Sequence, residues 1–236
     1  MTTPVLSVFI GRDLSWMGQD DPVDDAEDFT AAIRSYWAPE RLEQTRTHLA
    51  EYYDERTPFT GSQFEVIADD GRPNEITEAD LVAVSMLGVT IPADVAIWIL
   101  STDGRTQISG LLEQVPAEAT IVDGGVHLAE ASAMWQLWDL LDRACWPNTK
   151  RGNGMGQTKK SKLLAAKRPA LVPVVDSVVR AAHPVEGDRY WAAFTATFDA
   201  DTYAAAHAAL GPRPAQVPVL RAVDLAIWQA NRRRAI

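Results

Sequence analysis

An all-α fold is what this sequence predicts, and three observations predict it. Apolar residues recur at helical spacing along most of the chain. Acids and prolines stand where helices start. Strict alternation of apolar and polar residues, the mark of a half-buried strand, is nearly missing. With 236 residues, 47% of them hydrophobic, the chain can bury a real core as one large domain or two tightly packed lobes.

Taken in order, residues 24–37 and 39–56 read as two amphipathic helices parted at Ala38-Pro39, because the residue before a proline is pushed out of the helical region. An irregular stretch follows over 57–75. Thr77 begins a helix through Leu87, with Glu78 and Asp80 in the first turn, where acids suit the helix dipole. Pro92 opens another helix through Leu100, and 106–114 makes a short one. A long helix is expected over 126–145, with Leu128, Met134, Trp135, Trp138 and Leu141 as its buried stripe. Those tryptophans read most simply as core, with base stacking as the other use. Residues 146–155 break helix, and 157–167 resume it. Pro169 and Pro173 bracket a short extended link. Helices over 174–182, 188–198, 200–210 and 217–234 complete the set. Residues 5–10 and 64–67 are the only candidate strands.

One cysteine, Cys145, allows no disulfide within the chain and no four-cysteine zinc or iron–sulfur site. His127, His183 and His207 lack ligand spacing and His48 stands alone, which disfavours a metal-dependent nuclease. No metal or other cofactor is expected. The N-terminus has no basic leader, and no run reaches the ~18 apolar residues of a membrane span. These features are expected of a cytoplasmic monomer with no membrane partner.

The net charge of −10 argues at first against nucleic acid, but the charge is unevenly placed. Residues 1–142 carry 26 acids and 7 bases, whereas 143–236 carry 6 and 15. No acid occurs from Arg143 to Val175. Either one positive face stands on an acidic body, or these are ordinary solvated side chains.

Within that acid-free stretch, Gly152, Gly154 and Gly156 permit positive φ and close backbone approach. The amides of Gly156, Gln157 and Thr158 would then open a helix, and a helix N-terminus is an anion site. Lys159, Lys160 and Lys162 follow within two turns. Together these are the candidate DNA-phosphate grip. Asp176 is the first acid after 33 residues without one. It reads either as a helix cap before Ser177-Val178-Val179 or as a reactive carboxylate.

The segment GMGQTKKSKLLAAKRPALVPVVDSVVRAA resembles the helix-hairpin-helix DNA glycosylase superfamily, the endonuclease III and adenine-glycosylase group. Its Gly-x-Gly hairpin, aliphatic helix and Pro-aliphatic-x-Asp turn match, including the 22 residues from Gly154 to Asp176. The resemblance implies two helical lobes with a cleft between them, about 77–167 forming the hairpin lobe and 1–76 with 168–236 the other. The 80–87 run resembles the aliphatic helix before the DNA wedge, and 220–228 the closing helix of several members. The chain is also similar to an uncharacterised bacterial domain family with FTGSxFE and KLLAxKRPxLxPVxDSVV motifs, from which no function carries over.

What the superfamily resemblance implies is hydrolysis of the N-glycosidic bond of a damaged or modified base flipped out of double-stranded DNA, with Asp176 as the catalytic carboxylate. Repair and defence against phage carrying hypermodified bases are both settings for such a reaction. The sequence departs from the superfamily at three points. Thr158 stands at the Schiff-base lysine position, which implies base release without strand cleavage. No cysteine quartet follows. Gly88-Val89-Thr90 replaces a polar wedge, so eversion or pocket contacts would fall to Phe59 or Gln63, unless that stretch only makes a turn. The alternative is a non-catalytic DNA-binding or protein-interaction module that keeps the hairpin.

Overall fold

Thirteen helices run through the computed structural model, which describes residues 22–56, 59–145, 153–185 and 189–232, and no strand occurs among them. They are α1 (Pro22–Arg34), α2 (Pro39–Tyr52), α3 (Phe64–Ala68), α4 (Glu78–Met86), α5 (Ala93–Leu100), α6 (Thr102–Leu112), α7 (Gly124–His127), α8 (Ala133–Arg143), α9 (Gln157–Lys167), α10 (Ser177–Ala182), α11 (Tyr190–Thr197), α12 (Ala200–Leu210) and α13 (Val219–Asn231). The expected 5–10 strand and Gly152 lie outside the described residues.

Local chemistry sets the helix starts. Thr77 and Asp80 close a reciprocal capping box on α4, the Asp80 carboxylate accepting from the Thr77 amide at 2.6 Å. Asp199 caps α12 by accepting from the Thr202 amide at 2.7 Å.

Four expectations need correction. Residues 64–67 are helical, within α3. The helix expected over 106–114 begins at Thr102, because the Ser101 hydroxyl accepts from Gly104 and starts it a turn earlier. The long helix over 126–145 is two helices: Ala131 takes a positive φ of 65°, and Ser132 caps α8 from the break. Its buried stripe is Met134, Leu137 and Leu141, while Trp135 and Trp138 are half-buried against Trp191. The helix expected over 174–182 starts at Ser177, because Asp176 terminates an extended approach instead of continuing it.

The core is one continuous apolar cluster. α4 packs on α3 and α9, and α6 on α5 and α8. α13 packs on α2, α10 and α12, and every residue from Val219 to Ile227 is buried. A helix buried on all sides is normally apolar throughout, so Arg221 and Asp224 inside α13 mark the place where the core turns polar.

Candidate functional site

Between α2, α4, α9, α10 and α13 lies a cavity of about 270 Å³, near the small end of the range for ligand sites. One wall is aromatic. Tyr52 and Phe59 stack with ring centroids 5.2 Å apart, and Trp228 meets both edge-on. Four charged residues, Lys162, Asp176, Arg221 and Asp224, also line it.

Asp176 divides its two oxygens between tasks. Oδ1 accepts from the Val178 and Val179 amides at 2.9 and 3.1 Å, capping α10. Oδ2 lies 3.9 Å from the Lys162 ammonium, and both residues line the cavity. The cap and the site carboxylate are therefore one residue. Its approach is pinned on both sides. The Val175 amide donates to the Ser161 hydroxyl on α9, and the Val174 amide donates to Asp224 on α13.

Lys162 is buried and donates to the Leu87 carbonyl at 2.8 Å. Burial pushes its pKa down, while the Asp176 charge works the other way. Arg221 donates through Nε to Glu65 at 2.6 Å and through Nη2 to the Tyr52 hydroxyl at 3.3 Å. Asp224 is buried. Its Oδ2 accepts from the Val174 amide, and its Oδ1, shielded from solvent, has no hydrogen-bond partner among the described residues. Burial pushes the Asp224 pKa well up, against the opposing pull of Arg221.

The FTGSQFE stretch builds this cavity instead of merely turning the chain. Phe59 lines it, the Thr60 hydroxyl donates to the Met86 carbonyl, and Glu65 holds Arg221. Gly61 lies so close to the Tyr52 hydroxyl that any β-carbon would overlap it. Gln63 points elsewhere: it is exposed, donates to Ser62 and takes no part in the cavity lining.

Most of the chain matches a known family. A family model covers residues 45–231, from within α2 to the end of α13. The chain belongs to DUF6308, a family of unknown function. No curated protein and no solved structure matches it. The matched span of this DUF6308 chain contains every residue of the cavity.

The basic cluster needs the largest correction. Lys160 is buried, pairs with Asp142 at 2.7 Å and lies 4.1 Å from the Trp138 ring centroid. Lys162 faces the cavity. Lys167 is buried 2.7 Å from Asp80 and 3.5 Å from Asp70. Arg168 is wholly buried and donates to the Leu112, Val115, Pro73 and Lys167 carbonyls and to Asn74. These four cations tie the fold together from within, so the acid-free stretch does not add up to a basic face of that size. Of the three lysines read as a phosphate grip, only Lys159 stays partly exposed. The hairpin backbone does present itself: Gly154 has a φ of +73° and is exposed, as is Gly156, the N-cap of α9, while Gln157 and Thr158 are partly exposed in its first turn. Buried Asn153 holds the turn by donating to the Leu141 and Ala144 carbonyls at the end of α8.

Sequence reasoning missed Tyr52, Arg221, Asp224 and Trp228 as site residues. A signal existed in VLRAVDLAIW, where an arginine and an aspartate three apart interrupt an otherwise apolar helix. Among the described residues no group of His, Cys, Asp and Glu could hold a metal, and no helix is long and apolar enough to cross a membrane.

Proposed function

We propose that this chain is a monofunctional DNA N-glycosylase that takes a flipped-out, damaged or modified base against the Tyr52–Phe59–Trp228 wall and cuts its N-glycosidic bond. The observation that carries the reading is the place of Asp176: at a helix start, lining a small cavity that also holds aromatic rings and further charged side chains. Aromatic faces stack bases without regard to sequence. Breaking the bond develops oxocarbenium character on the sugar, which an ionised carboxylate stabilises while orienting the attacking water. A base in a duplex must be everted to reach such a cavity, at a cost lowest for mispaired or damaged bases.

The exposed turn at Gly154 to Gly156 and the first turn of α9 are proposed to lie against the DNA backbone, with Lys159 as the remaining flexible cation. In this reading α4 to α9 form the hairpin lobe and α13 with its neighbours the other, with the cavity at their junction.

Duplexes carrying single modified bases, scored for alkali-labile abasic sites, test the proposal; a chain that releases no base from any of them overturns it. Borohydride tests the monofunctional part. No covalent protein–DNA adduct is expected, because Thr158 cannot form an imine and Lys162 is held by the Leu87 carbonyl. An adduct that disappears in Lys162→Arg would show strand-cleaving chemistry instead.

The burial of Lys160 and Lys162 favours a second reading, a non-catalytic interaction module, because it removes most of the expected phosphate grip. Under that reading the Asp176→Asn variant leaves every DNA-dependent readout unchanged.

A further inference from the structure

Phe59 and Trp228, two of the rings that line the cavity, share a cation. The Arg232 guanidinium carbon stands 4.9 Å from the Phe59 ring centroid and 5.3 Å from that of Trp228. Arg232 directly follows α13, where a cation suits the helix dipole. That placement alone would make it a helix cap and a cover for the rings. Its lack of a counter-charge goes further. Arg232 is half-buried and, among the described residues, makes no ion pair and donates no hydrogen bond. The cations that line the cavity, Lys162 and Arg221, are each set against a carboxylate. A ring attracts a cation without neutralising it, so the charge and the five N–H donors of the guanidinium fork are left for an anion. The place is also reachable. Phe59 and Trp228 are themselves half-buried, and exposed Thr60 and Gly88 line the same cavity. A heterocycle that enters against either ring becomes a neighbour of Arg232.

From this we infer that Arg232 is an anion clamp at the edge of the aromatic wall, and that the cavity takes a nucleotide, its base against the Phe59 and Trp228 rings and its phosphate on the Arg232 guanidinium. A planar fork matches two phosphate oxygens at once, which a lysine cannot do. A neutral base stacking on rings has no use for a cation there; a base that carries its phosphate does. For a base everted from DNA, the anion is one of the two phosphates that flank it, and holding that phosphate offsets part of the cost of eversion. This deepens the glycosylase reading and rests on it for the DNA source alone. The shared chemistry is a phosphate joined to an aromatic heterocycle, which a free nucleotide also carries. With Lys160 and Lys162 turned inward, the clamp places a phosphate contact at the end of α13 and not only at the start of α9.

Calorimetry on the full chain tests the clamp without DNA. Deoxyadenosine, deoxyguanosine, deoxycytidine and thymidine are each compared with their 5′-monophosphates. At least one monophosphate is expected to bind about tenfold more tightly than its nucleoside, the gain of a hydrogen-bonded charge pair. Arg232→Gln should erase that difference and leave nucleoside affinity within about twofold, and Arg232→Lys, which keeps the charge without the fork, should fall between. Melting is recorded alongside. A residue that only caps the helix and covers the rings would lower the melting temperature when replaced and leave the nucleoside–nucleotide difference as it was. If Arg232→Gln keeps the difference, or if no monophosphate outbinds its nucleoside, the clamp is rejected whether or not duplexes are cut.

The source of the phosphate is read from a duplex with one mispaired thymidine, in which a neutral methylphosphonate replaces either flanking phosphate. One of the two replacements should weaken wild-type binding about tenfold and Arg232→Gln binding by less than about twofold, because both changes remove the same contact. Equal losses in the two proteins would place that DNA phosphate on another residue and overturn the DNA half. Indifference of the wild type to both replacements, with the mononucleotide difference intact, would support the clamp and assign it to a free nucleotide. Monophosphate binding that depends on Arg232, with no base released from any modified duplex, would sink the glycosylase reading and leave the clamp standing.

Discussion

Asp176 joins two properties that usually compete for one side chain. Its cap of α10 uses Oδ1 alone, so Asp176→Asn keeps the fold while removing the charge that faces Lys162. Excision is expected to drop by several orders of magnitude with melting temperature unchanged or raised, since relaxing a strained site often stabilises. Asp176→Ala, which removes the cap as well, should lose roughly 1 kcal/mol in addition. Full excision by a well-folded Asn variant would reject Asp176 as the reacting carboxylate. His183 offers a residue-scale test of acid stability. Its ring bonds the Tyr36 hydroxyl at 2.9 Å, and burial followed by the nearby Arg41 charge lowers its pKa below 6.5. A lowered pKa means the fold prefers the neutral ring. That stability is complete above the unfolded value of about 6.5 and is lost as pH falls below it through the folded pKa. The melting temperature should therefore fall faster with acid in the wild type than in His183→Gln. Asp224 and Asp80, whose raised pKa values come first from burial, act with the opposite sign and are common to both proteins, so the difference isolates His183.

Segment 59–65 is the clearest case of an irregular element with a site-building task. Gly61 is the only residue that fits under Tyr52, because a β-carbon there would meet the Tyr52 hydroxyl and the Leu87 side chain. Gly61→Ala is expected to destabilise by about 1–3 kcal/mol, as overpacking of a filled interior does. It should also shift the Tyr52–Phe59 wall, seen as weakened base binding; a stable variant with normal binding would show that the segment yields easily. The α8–α9 turn behaves differently. Asn153 donates to the Leu141 carbonyl in the last turn of α8 and to the Ala144 carbonyl just beyond it, and its own side-chain oxygen accepts from the Met155 amide. Asn153→Ala should cost about 1–3 kcal/mol, the usual penalty for leaving buried polar groups unpaired. A melting curve unchanged by it would mean that the glycines alone hold the turn.

At the scale of the whole molecule, four cations of the basic half are turned away from the surface. Lys160, Lys162, Lys167 and Arg168 are drawn inward, each meeting a carboxylate or backbone carbonyls. Among the described residues of the acid-free stretch after Asn153, that leaves Lys159 as the cation open to a DNA phosphate. Lys159→Glu should weaken binding to all duplexes alike and lower the salt slope by about 1 or slightly more, not by the larger amount expected of a broad basic face. An unaffected slope would place the DNA contact elsewhere.

Helical periodicity, proline positions and cap residues are local properties, and they were enough to determine an all-α chain, the extents of α9 and α12, and the start of α4. Asp176 was legible because an isolated acid after a long acid-free run stands out in one dimension. Tertiary structure decided the rest. It broke the expected 126–145 helix at Ala131, where Ser132 offers the backbone a cap that competes with continued helix. It brought Tyr52, Phe59, Lys162, Asp176, Asp224 and Trp228 to one cavity from across more than 170 residues, a meeting that no local signal encodes. It also decided which lysines face water, because burial of a cation depends on whether a distant carboxylate or carbonyl is folded against it, and spacing along the chain carries no record of that partner.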